Sequence, residues 1–307
     1  MQKSPEVRPL PGVVASIVAG LELTTSHLWL ILLPVLLDLF LWLGPRLSAG
    51  RLVEQQMNLP GMREALGPLA DQMVQLAPHM NLFTALSLPL IGVPAVMSGP
   101  SPALTPVQTQ VVEITTVNQW LLLFVGLSLA GLLLTAAYFS LLARTVRDGR
   151  ASLGEFWASL GPTWLRLLGL AVAYLFCLLL VYLPLLPVAA VMSLFNRNLF
   201  GAVLLGGVFM LVWVTIYLSF SLPAVLLGGR PVGPALLESI RLVRQYTLPA
   251  VSLLFLVVAL GGALNWLWRL VDNGSWLTLA SILGHGFIST ALAAAVFIFY
   301  RDHTQNQ

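Results

Sequence analysis

Long apolar runs constrain this chain more than any other feature of its sequence. Five of them cover residues 120–143, 167–195, 199–227, 247–268 and 276–300, and a shorter one covers residues 27–43. A transmembrane α-helix needs about 20 predominantly apolar residues. Only 9% of the 307 residues are charged, whereas soluble domains carry about 25%. We therefore predict an all-α, polytopic integral membrane protein with six transmembrane helices.

The remaining sequence divides the chain into segments. We expect residues 1–26 to form a cytoplasmic tail and an interfacial helix, because the apolar positions after Gly12 recur at helical spacing over too short a stretch to span. We interpret residues 27–43 as the first transmembrane helix, since this stretch is longer than a typical signal-peptide core. The other predicted segments are an outer loop subdomain (44–117), a five-helix bundle (118–300) and a cytoplasmic tail (301–307).

The outer loop contains one apolar piece, NLFTALSLPLIGVPAVMSG at residues 81–99. It is as long as a short span, but Pro89 and Pro94 interrupt it. Non-helical backbone at membrane depth must be packed on protein or line a cavity. Three interpretations stay open: a re-entrant segment, an interfacial segment, or a loop buried beneath the other helices.

Basic residues orient the predicted spans. With a cytoplasmic N-terminus, ten of the 15 basic residues fall in inner segments and five in outer segments. The inner ones are Lys3, Arg8, Arg144, Arg147, Arg150, Arg166, Arg230, Arg241, Arg244 and Arg301; the outer ones are Arg46, Arg51, Arg63, Arg197 and Arg269. The positive-inside rule predicts that both termini lie on the cytoplasmic side of a plasma (inner) membrane and that the long loop lies outside. We interpret the pI near 9.4 as this orientation signal and expect no nucleic-acid partner.

An 80-residue internal repeat is a hypothesis. DGRASLGEFWASL (148–160) aligns with GGRPVGPALLESI (228–240), and Ser159 matches Ser239. A true repeat would relate residues 118–197 to residues 198–277 as parallel units, each with a span, a turn, an amphipathic helix and a second span. Matches this few also arise by chance in apolar sequence, so they do not decide the question.

The two amphipathic helices, about 152–165 and 234–245, are predicted to lie on the cytoplasmic side. Leu236, Leu237, Ile240 and Val243 mark the predicted apolar face of the second helix. The residues predicted to contact lipid or a partner protein are Arg150, Arg230, Arg241 and Arg244. Each basic residue near anionic lipid contributes about 1 kcal/mol. The alternative is a packed connector between spans.

Four polar residues in the predicted outer half form a candidate cluster: Asp38, Asn265, Arg269 and His285. An aspartate at the centre of a membrane helix costs about 2.5–3.5 kcal/mol, so Asp38 should face protein or water. We expect it to pair with Arg269, with His285 or Asn265 nearby. The pair is either a structural lock between spans or part of a pocket in which Asp38 or His285 binds a solute or proton.

No catalytic, cofactor-binding or metal-binding motif is present in the sequence. The single cysteine, Cys177, excludes an intrachain disulfide and a cysteine-based metal cluster. GGRPVG at 228–233 lacks the Lys-Ser/Thr of a phosphate loop and is typical of a helix end followed by a helix start. We therefore predict no catalytic residue, metal ligand or cofactor. Small residues such as Gly126, Gly201, Gly206, Gly207, Gly261, Gly262 and Gly284 are expected to mark close helix contacts.

The stretch SFSLPAVLLGGRPVGPALLESIRLVRQY (219–246) resembles a pattern in groups of uncharacterised bacterial multi-span membrane proteins. It also resembles the membrane domain fused to some glycerophosphodiester phosphodiesterases. LLPVLLDLFLWLGPRLS and NLFTALSLPLIGVPAVM look like segments of uncharacterised membrane proteins as well. The first resemblance covers about a tenth of the chain and implies a six-helix bundle built around such hairpins. It transfers no catalytic residue, because the phosphodiesterase site belongs to a separate soluble domain.

Three functions are weighed. The first is a non-enzymatic scaffold or accessory subunit, and the lack of a polar pathway through the predicted spans favours it. Its expected partners are membrane lipids and other membrane protein subunits. The second is a transporter or permease for a small solute or lipid, suggested by the repeat and the outer polar residues. The third, an intramembrane enzyme, is disfavoured because no nucleophile–base set is visible.

The predicted topology is tested with single cysteines introduced as Ser4→Cys, Gln72→Cys and Gln305→Cys in a Cys177→Ala background. Because only the outer loop faces the exterior, an impermeant thiol reagent applied to intact cells should label Gln72→Cys alone. Labelling of all three in permeabilised cells is the control. Labelling of Gln305→Cys in intact cells would contradict the topology and make residues 81–99 a true span.

Overall fold

The computed structural model describes residues 12–63, 68–87, 91–102, 104–149 and 153–304. Within these ranges the helices are α1 (Val13–Ser26), α2 (Leu32–Leu43), α3 (Gly50–Met57), α4 (Pro68–Leu76), α5 (Val117–Asp148), α6 (Leu153–Phe195), α7 (Arg197–Leu218), α8 (Ser221–Leu226), α9 (Val232–Gln245), α10 (Thr247–Trp268) and α11 (Thr278–Thr304). Short 3-10 helices cover Leu28–Ile31, Ala77–His79, Leu82–Leu86 and Val96–Ser98. Strands β1 (Arg46–Ser48) and β2 (Val111–Glu113) pair in parallel. The predicted all-α class is confirmed.

The described residues contain five helical stretches long and apolar enough to cross a membrane: α5, α6, α7 with α8, α10 and α11. A sixth candidate is α1 followed by residues 28–43, a pair bent by 93°. Taken alone, α2 has 12 residues and is about 18 Å long, short of the ~30 Å hydrocarbon core. The predicted count of six spans therefore holds only if this bent pair counts as one.

The bend between α1 and α2 lies at His27. Its backbone leaves the helical region, with φ −133° and ψ 58°. Pro34 does not break α2, because it occupies the first turn, where backbone N–H groups have no partner within the helix. The chain is thus redirected before the proline.

The structure divides into two compact units. Unit 1 contains the described residues of Met1–Gly20, Ala143–Val257 and Ala293–Gln307, and unit 2 those of Leu21–Leu142 and Val258–Leu292. In unit 1, α6 and α7 pack against each other. The Tyr174 hydroxyl donates to the carbonyl of Leu218, at the end of α7, over 2.8 Å.

Unit 1 also contains a helix break that a distant serine completes. α7 ends at Leu218 and α8 begins at Ser221. Ser239 of α9 is fully buried, and its Oγ accepts from the Phe220 amide at 3.1 Å and donates to the Tyr217 carbonyl at 2.6 Å. These bonds satisfy backbone groups that the break would otherwise leave without partners in an apolar surrounding.

The prediction of a separate connector helix at 152–165 is wrong. Residues 153–165 begin α6, which continues without interruption to Phe195 and contains Pro162 in its interior. Buried side chains on both sides of the proline, Phe156 before it and Leu167 and Leu170 after it, lie on one helical face. Packing along this face offsets the hydrogen bond that Pro162 cannot donate.

The second predicted connector does form a separate helix, α9, which ends at Tyr246 with φ −120° and ψ 46°. Its buried face differs from the predicted one and consists of Ala235, Ser239, Leu242 and Val243. Leu237, assigned to the apolar face, is 56% exposed. The small Ala235 and Ser239 side chains allow close packing, which hydrophobicity alone does not indicate.

The 80-residue repeat stays a prediction. Its two connectors differ, because α6 includes the first whereas α9 is separate from α10. The matched serines also differ in their contacts. Ser159 accepts from the Arg144 guanidinium at 2.9 Å, whereas Ser239 bonds to the backbone beside the α7–α8 break. These differences weigh against the repeat, and superposition of residues 118–197 on 198–277 remains its test.

Unit 2 is built around Trp42. This side chain is fully buried and forms a core with Val96 and Ile282. Its indole Nε1 donates to the carbonyl of Asn273 at 3.0 Å, and its ring meets Trp276 edge-on with centroids 5.9 Å apart. This packing links α2 to the turn between α10 and α11.

The apolar piece at 81–99 contains no α-helix in its described residues, which exclude 88–90. It packs on protein at Gly131 of α5, where a Cβ atom would lie 2.7 Å from the carbonyl oxygen of Leu86. Only glycine allows this approach of one backbone to another. Whether the piece is re-entrant or interfacial stays a prediction.

The expected small-residue contacts are confirmed at two positions. A Cβ atom at Gly207 would lie 2.8 Å from Leu185, and one at Gly284 would lie 2.6 Å from the Trp268 ring. The expectation is wrong for Gly126, Gly201, Gly206 and Gly262, where nothing lies within 4 Å. Those glycines face open surface, so composition alone does not locate the contacts.

The Ser239 bridge predicts a difference between two matched serines. Ser239→Ala leaves the Phe220 amide and the Tyr217 carbonyl without their partner, at a cost of about 1–3 kcal/mol in the free energy of unfolding. Ser159→Ala should cost less than about 1 kcal/mol, because the side chain is half-buried and Arg144 keeps its ion pair with Glu155. Reversible denaturation in mixed micelles measures both. Equal losses would show that the bridge has no special role.

Candidate functional site

Asp38 is fully buried on the inner face of α2. Its carboxylate accepts two backbone hydrogen bonds from the outer-loop segment, one from the Met97 amide to Oδ1 at 2.8 Å and one from the Val96 amide to Oδ2 at 3.1 Å. The prediction that Asp38 faces protein is therefore confirmed. Its partners are main-chain amides.

The local sequence explains why these amides need a partner. Residues 91–99 form turns and one short 3-10 helix, and Gly92 and Pro94 disfavour a longer helix. The amides of Val96 and Met97 thus lack acceptors in a regular helix or sheet. Asp38 lies on the same buried face of α2 as Leu37 and Leu41, and this face brings the carboxylate to them.

The structure does not place Arg269 in an ion pair with Asp38. The guanidinium forms no ion pair within the described part of the chain. It lies beside Gly99, where a Cβ atom would be 3.1 Å from the Arg269 Nη2 atom. Asp38 and Arg269 therefore contact the same segment, 96–99, at different residues.

His285 reaches this segment from α11. It lines a cavity with Pro94, Ala95 and Ser98. Its Nε2 atom is buried and has no hydrogen-bond partner. The Asn265 Oδ1 atom of α10 is also buried without a partner. The structure thus brings Asp38, Arg269 and His285 around residues 94–99, and it shows no direct contact of Asn265 with them.

Two residues that sequence analysis did not single out belong to this region. Trp268 Nε1 and Ser281 Oγ are buried and have no hydrogen-bond partner, and both residues line a cavity with Arg269. A sequence signal existed for each. Trp268 precedes Arg269, and Ser281 lies one helical turn before His285 on the same face of α11.

The basic residues that were predicted to lie on the cytoplasmic side differ in their contacts. Arg230 Nε pairs with Glu238 at 3.0 Å. Arg241 and Arg244 are exposed and line a groove of about 850 Å³ together with Leu237 and Thr304. Arg150 lies outside the described residues. The groove combines positive charge with exposed apolar surface, which suits the headgroup region of anionic lipid.

The described residues contain no group of three or more His, Cys, Asp or Glu side chains placed to hold a metal ion. The carboxylate oxygens of Asp38 are taken by amides. Within the described residues, the buried Trp268 indole N–H has no acceptor and the exposed Arg269 guanidinium forms no ion pair. Both groups are able to donate hydrogen bonds to an oxyanion.

Comparison with known proteins gave no relatives. No protein-family model matches the chain, and no curated protein or solved structure matches it. The resemblance to the membrane domain of glycerophosphodiester phosphodiesterases stays a prediction.

The Asp38 contacts predict the behaviour of two variants. Asp38→Asn loses one acceptor and the negative charge, so the unfolding free energy should fall by about 1.5–3 kcal/mol. Hydrogen exchange at the Val96 and Met97 amides should accelerate. Arg269→Gln should leave this exchange unchanged.

The double variant distinguishes this arrangement from an Asp38–Arg269 ion pair. Asp38 and Arg269 have no direct contact and share only the 96–99 segment, so their coupling energy should lie near the low end, about 0.5 kcal/mol, of the range for residues with shared neighbours. A larger coupling energy, or faster exchange in Arg269→Gln alone, would contradict the observed geometry.

Proposed function

We propose that this integral membrane protein is a non-enzymatic scaffold or accessory subunit that binds another membrane protein subunit through the α6–α7 hairpin. The observation that carries the proposal is the length of exposed apolar surface on α6, which exceeds what lipid tails cover.

The hairpin is among the least buried of the candidate spans. Only 11% of the apolar part of α6 and 6% of that of α7–α8 is buried, compared with 11% for α10, 22% for α5 and 56% for α11. Phe176 is 62% exposed and Phe209 is 66% exposed. Lipid alone can cover such a surface only within the thickness of the hydrocarbon core.

The exposed surface of α6 runs beyond that thickness, although the exposed Arg166 interrupts it near one end. Trp157, 68% exposed, and Phe195, 80% exposed, mark its two ends. They are separated by about 57 Å at 1.5 Å per residue. Even at a tilt of 40°, the upper end of the usual range, this length covers about 44 Å of the bilayer normal, against a core of ~30 Å. A protein partner that covers one end removes the excess apolar surface from water.

The internal polar groups support a structural role. Asp38 and Ser239 satisfy backbone groups, and the Tyr138 hydroxyl donates to Thr290 at 2.9 Å. Each of these contacts fixes one element against another. In this proposal the Arg241–Arg244 face adds attraction to anionic lipid, and it anchors the cytoplasmic side.

A transporter or permease is the second candidate. The observation that favours it is the set of buried polar atoms without partners on α10 and α11, on Asn265, Trp268, Ser281 and His285. Buried polar groups in native proteins usually have partners, so such a set is typical of a place where something binds. Uptake of labelled solutes into proteoliposomes would support this candidate.

The scaffold proposal is tested with a photo-crosslinking amino acid at Trp157 or Phe195, in cells. The matched control is Leu122 of α5, which is 75% exposed and lies on a helix not proposed to bind a partner. Both test positions should give discrete protein adducts, and the control should give lipid adducts alone. Lipid adducts at all three positions, with a monomeric mass in mild detergent, would reject the proposal.

A further inference from the structure

Unit 2 contains a cavity of about 250 Å³ next to the Asp38-bound segment. One wall consists of residues from Val96 to Pro102, and the opposite wall comes from the end of α10, the following turn and the start of α11. The polar residues on its lining are Trp268, Arg269, Asn273 and Ser281. This volume is several times the ~30 Å³ share of one water molecule, so one water does not fill it.

Three side chains that can donate hydrogen bonds line the cavity. Ser281 is only 2% exposed, and its Oγ has no partner. The Trp268 Nε1 atom is likewise buried without a partner. Arg269 adds a guanidinium that forms no ion pair within the described residues. An indole N–H and a guanidinium can only donate. The buried Trp268 indole N–H has no acceptor among the described residues, whereas Arg269 is exposed and also lines the cavity.

Two glycines leave room for the Trp268 and Arg269 side chains. Gly284 lies against the Trp268 ring, where a Cβ atom would come within 2.6 Å. Gly99 leaves room for the Arg269 guanidinium, at 3.1 Å from a Cβ atom. Both glycines therefore admit the side chains that face the cavity.

Among the residues that the structure describes, no carboxylate lines the cavity to neutralise Arg269. The Asp38 oxygens accept the Val96 and Met97 amides, and Asp272 Oδ1 accepts the Gly274 amide at 3.0 Å. A guanidinium with a free indole N–H and a free hydroxyl forms charge-assisted hydrogen bonds with oxyanions. The walls at Val96, Met97 and Pro100 are apolar, so the ligand can also carry a short hydrocarbon part.

We propose that this cavity binds a small oxyanion, a carboxylate or a phosphate, with Arg269 as its charge partner and Trp268 Nε1 and Ser281 Oγ as hydrogen-bond donors. The anion is either a free solute or the headgroup of a lipid. This site is separate from the α6–α7 surface, so it stands or falls independently of the scaffold proposal.

The test uses the full-length protein in neutral detergent, titrated with inorganic phosphate or succinate at constant ionic strength. A lipid arm compares nanodiscs of phosphatidylglycerol with nanodiscs of phosphatidylcholine. Binding to the folded state should raise the apparent melting temperature in a saturable way. A response to phosphate or succinate identifies a free anion, and a response to phosphatidylglycerol alone identifies a lipid headgroup.

Three variants locate the site. Arg269→Gln should weaken binding about tenfold or more, because a hydrogen bond to a charged group is lost. Ser281→Ala should weaken binding several-fold while leaving the melting temperature of the free protein unchanged or higher, because Ser281 Oγ has no protein partner to lose. Arg51→Gln is the matched control, since Arg51 is an exposed arginine of the same unit that does not line the cavity.

The result that overturns the proposal is equally specific. The proposal would be overturned if phosphate, succinate and phosphatidylglycerol all failed to give a saturable response. Unchanged affinity in Arg269→Gln would also overturn it, as would an equal loss in Arg51→Gln, which indicates general attraction to basic surface.

Discussion

Two hydrogen bonds, from the amides of Val96 and Met97 to Asp38, hold residues 91–102, a segment without an α-helix, against α2. In a surrounding without water, each unsatisfied backbone group costs several kcal/mol. A short carboxylate on a helix is the most compact way to satisfy two neighbouring amides at once. The same segment contacts Arg269 at Gly99 and lines the cavities of His285 and Ser281. The candidate site therefore exists only while Asp38 holds residues 91–102, which line these cavities, in place.

The membrane class and the positions of the long helices follow from the sequence, because apolar runs of span length have few other solutions. The connectors are less predictable. Gly161 and Pro162 indicate a break in α6, yet packed residues on both sides of the proline keep the helix continuous. At His27 the chain turns although no proline or glycine marks the place. Helix ends depend on tertiary contacts that single residues do not reveal.

The candidate site shows the same limit. That Asp38 is buried follows from the apolar positions around it on α2, and the proximity of Arg269 and His285 follows from helix direction. The identity of the Asp38 hydrogen-bond partner does not follow from the sequence. Every residue except proline carries a backbone amide, and the side chain gives no sign of which amide will be the donor. The glycine and proline near residue 95 could have indicated the partner. They disfavour a regular helix, so the amides beside them need acceptors from elsewhere in the protein. Trp268 and Ser281 were missed because each alone resembles ordinary helix packing.

The break between α7 and α8 has a consequence for how the protein is made. Ser239, which satisfies the backbone at Tyr217 and Phe220, is synthesised about twenty residues after it. Until α9 has emerged from the ribosome and folded back, the Phe220 amide and the Tyr217 carbonyl lack the Ser239 hydroxyl as their partner. Completion of this part of unit 1 is therefore tied to the order of translation, and a chain stalled before residue 239 cannot reach the native arrangement there.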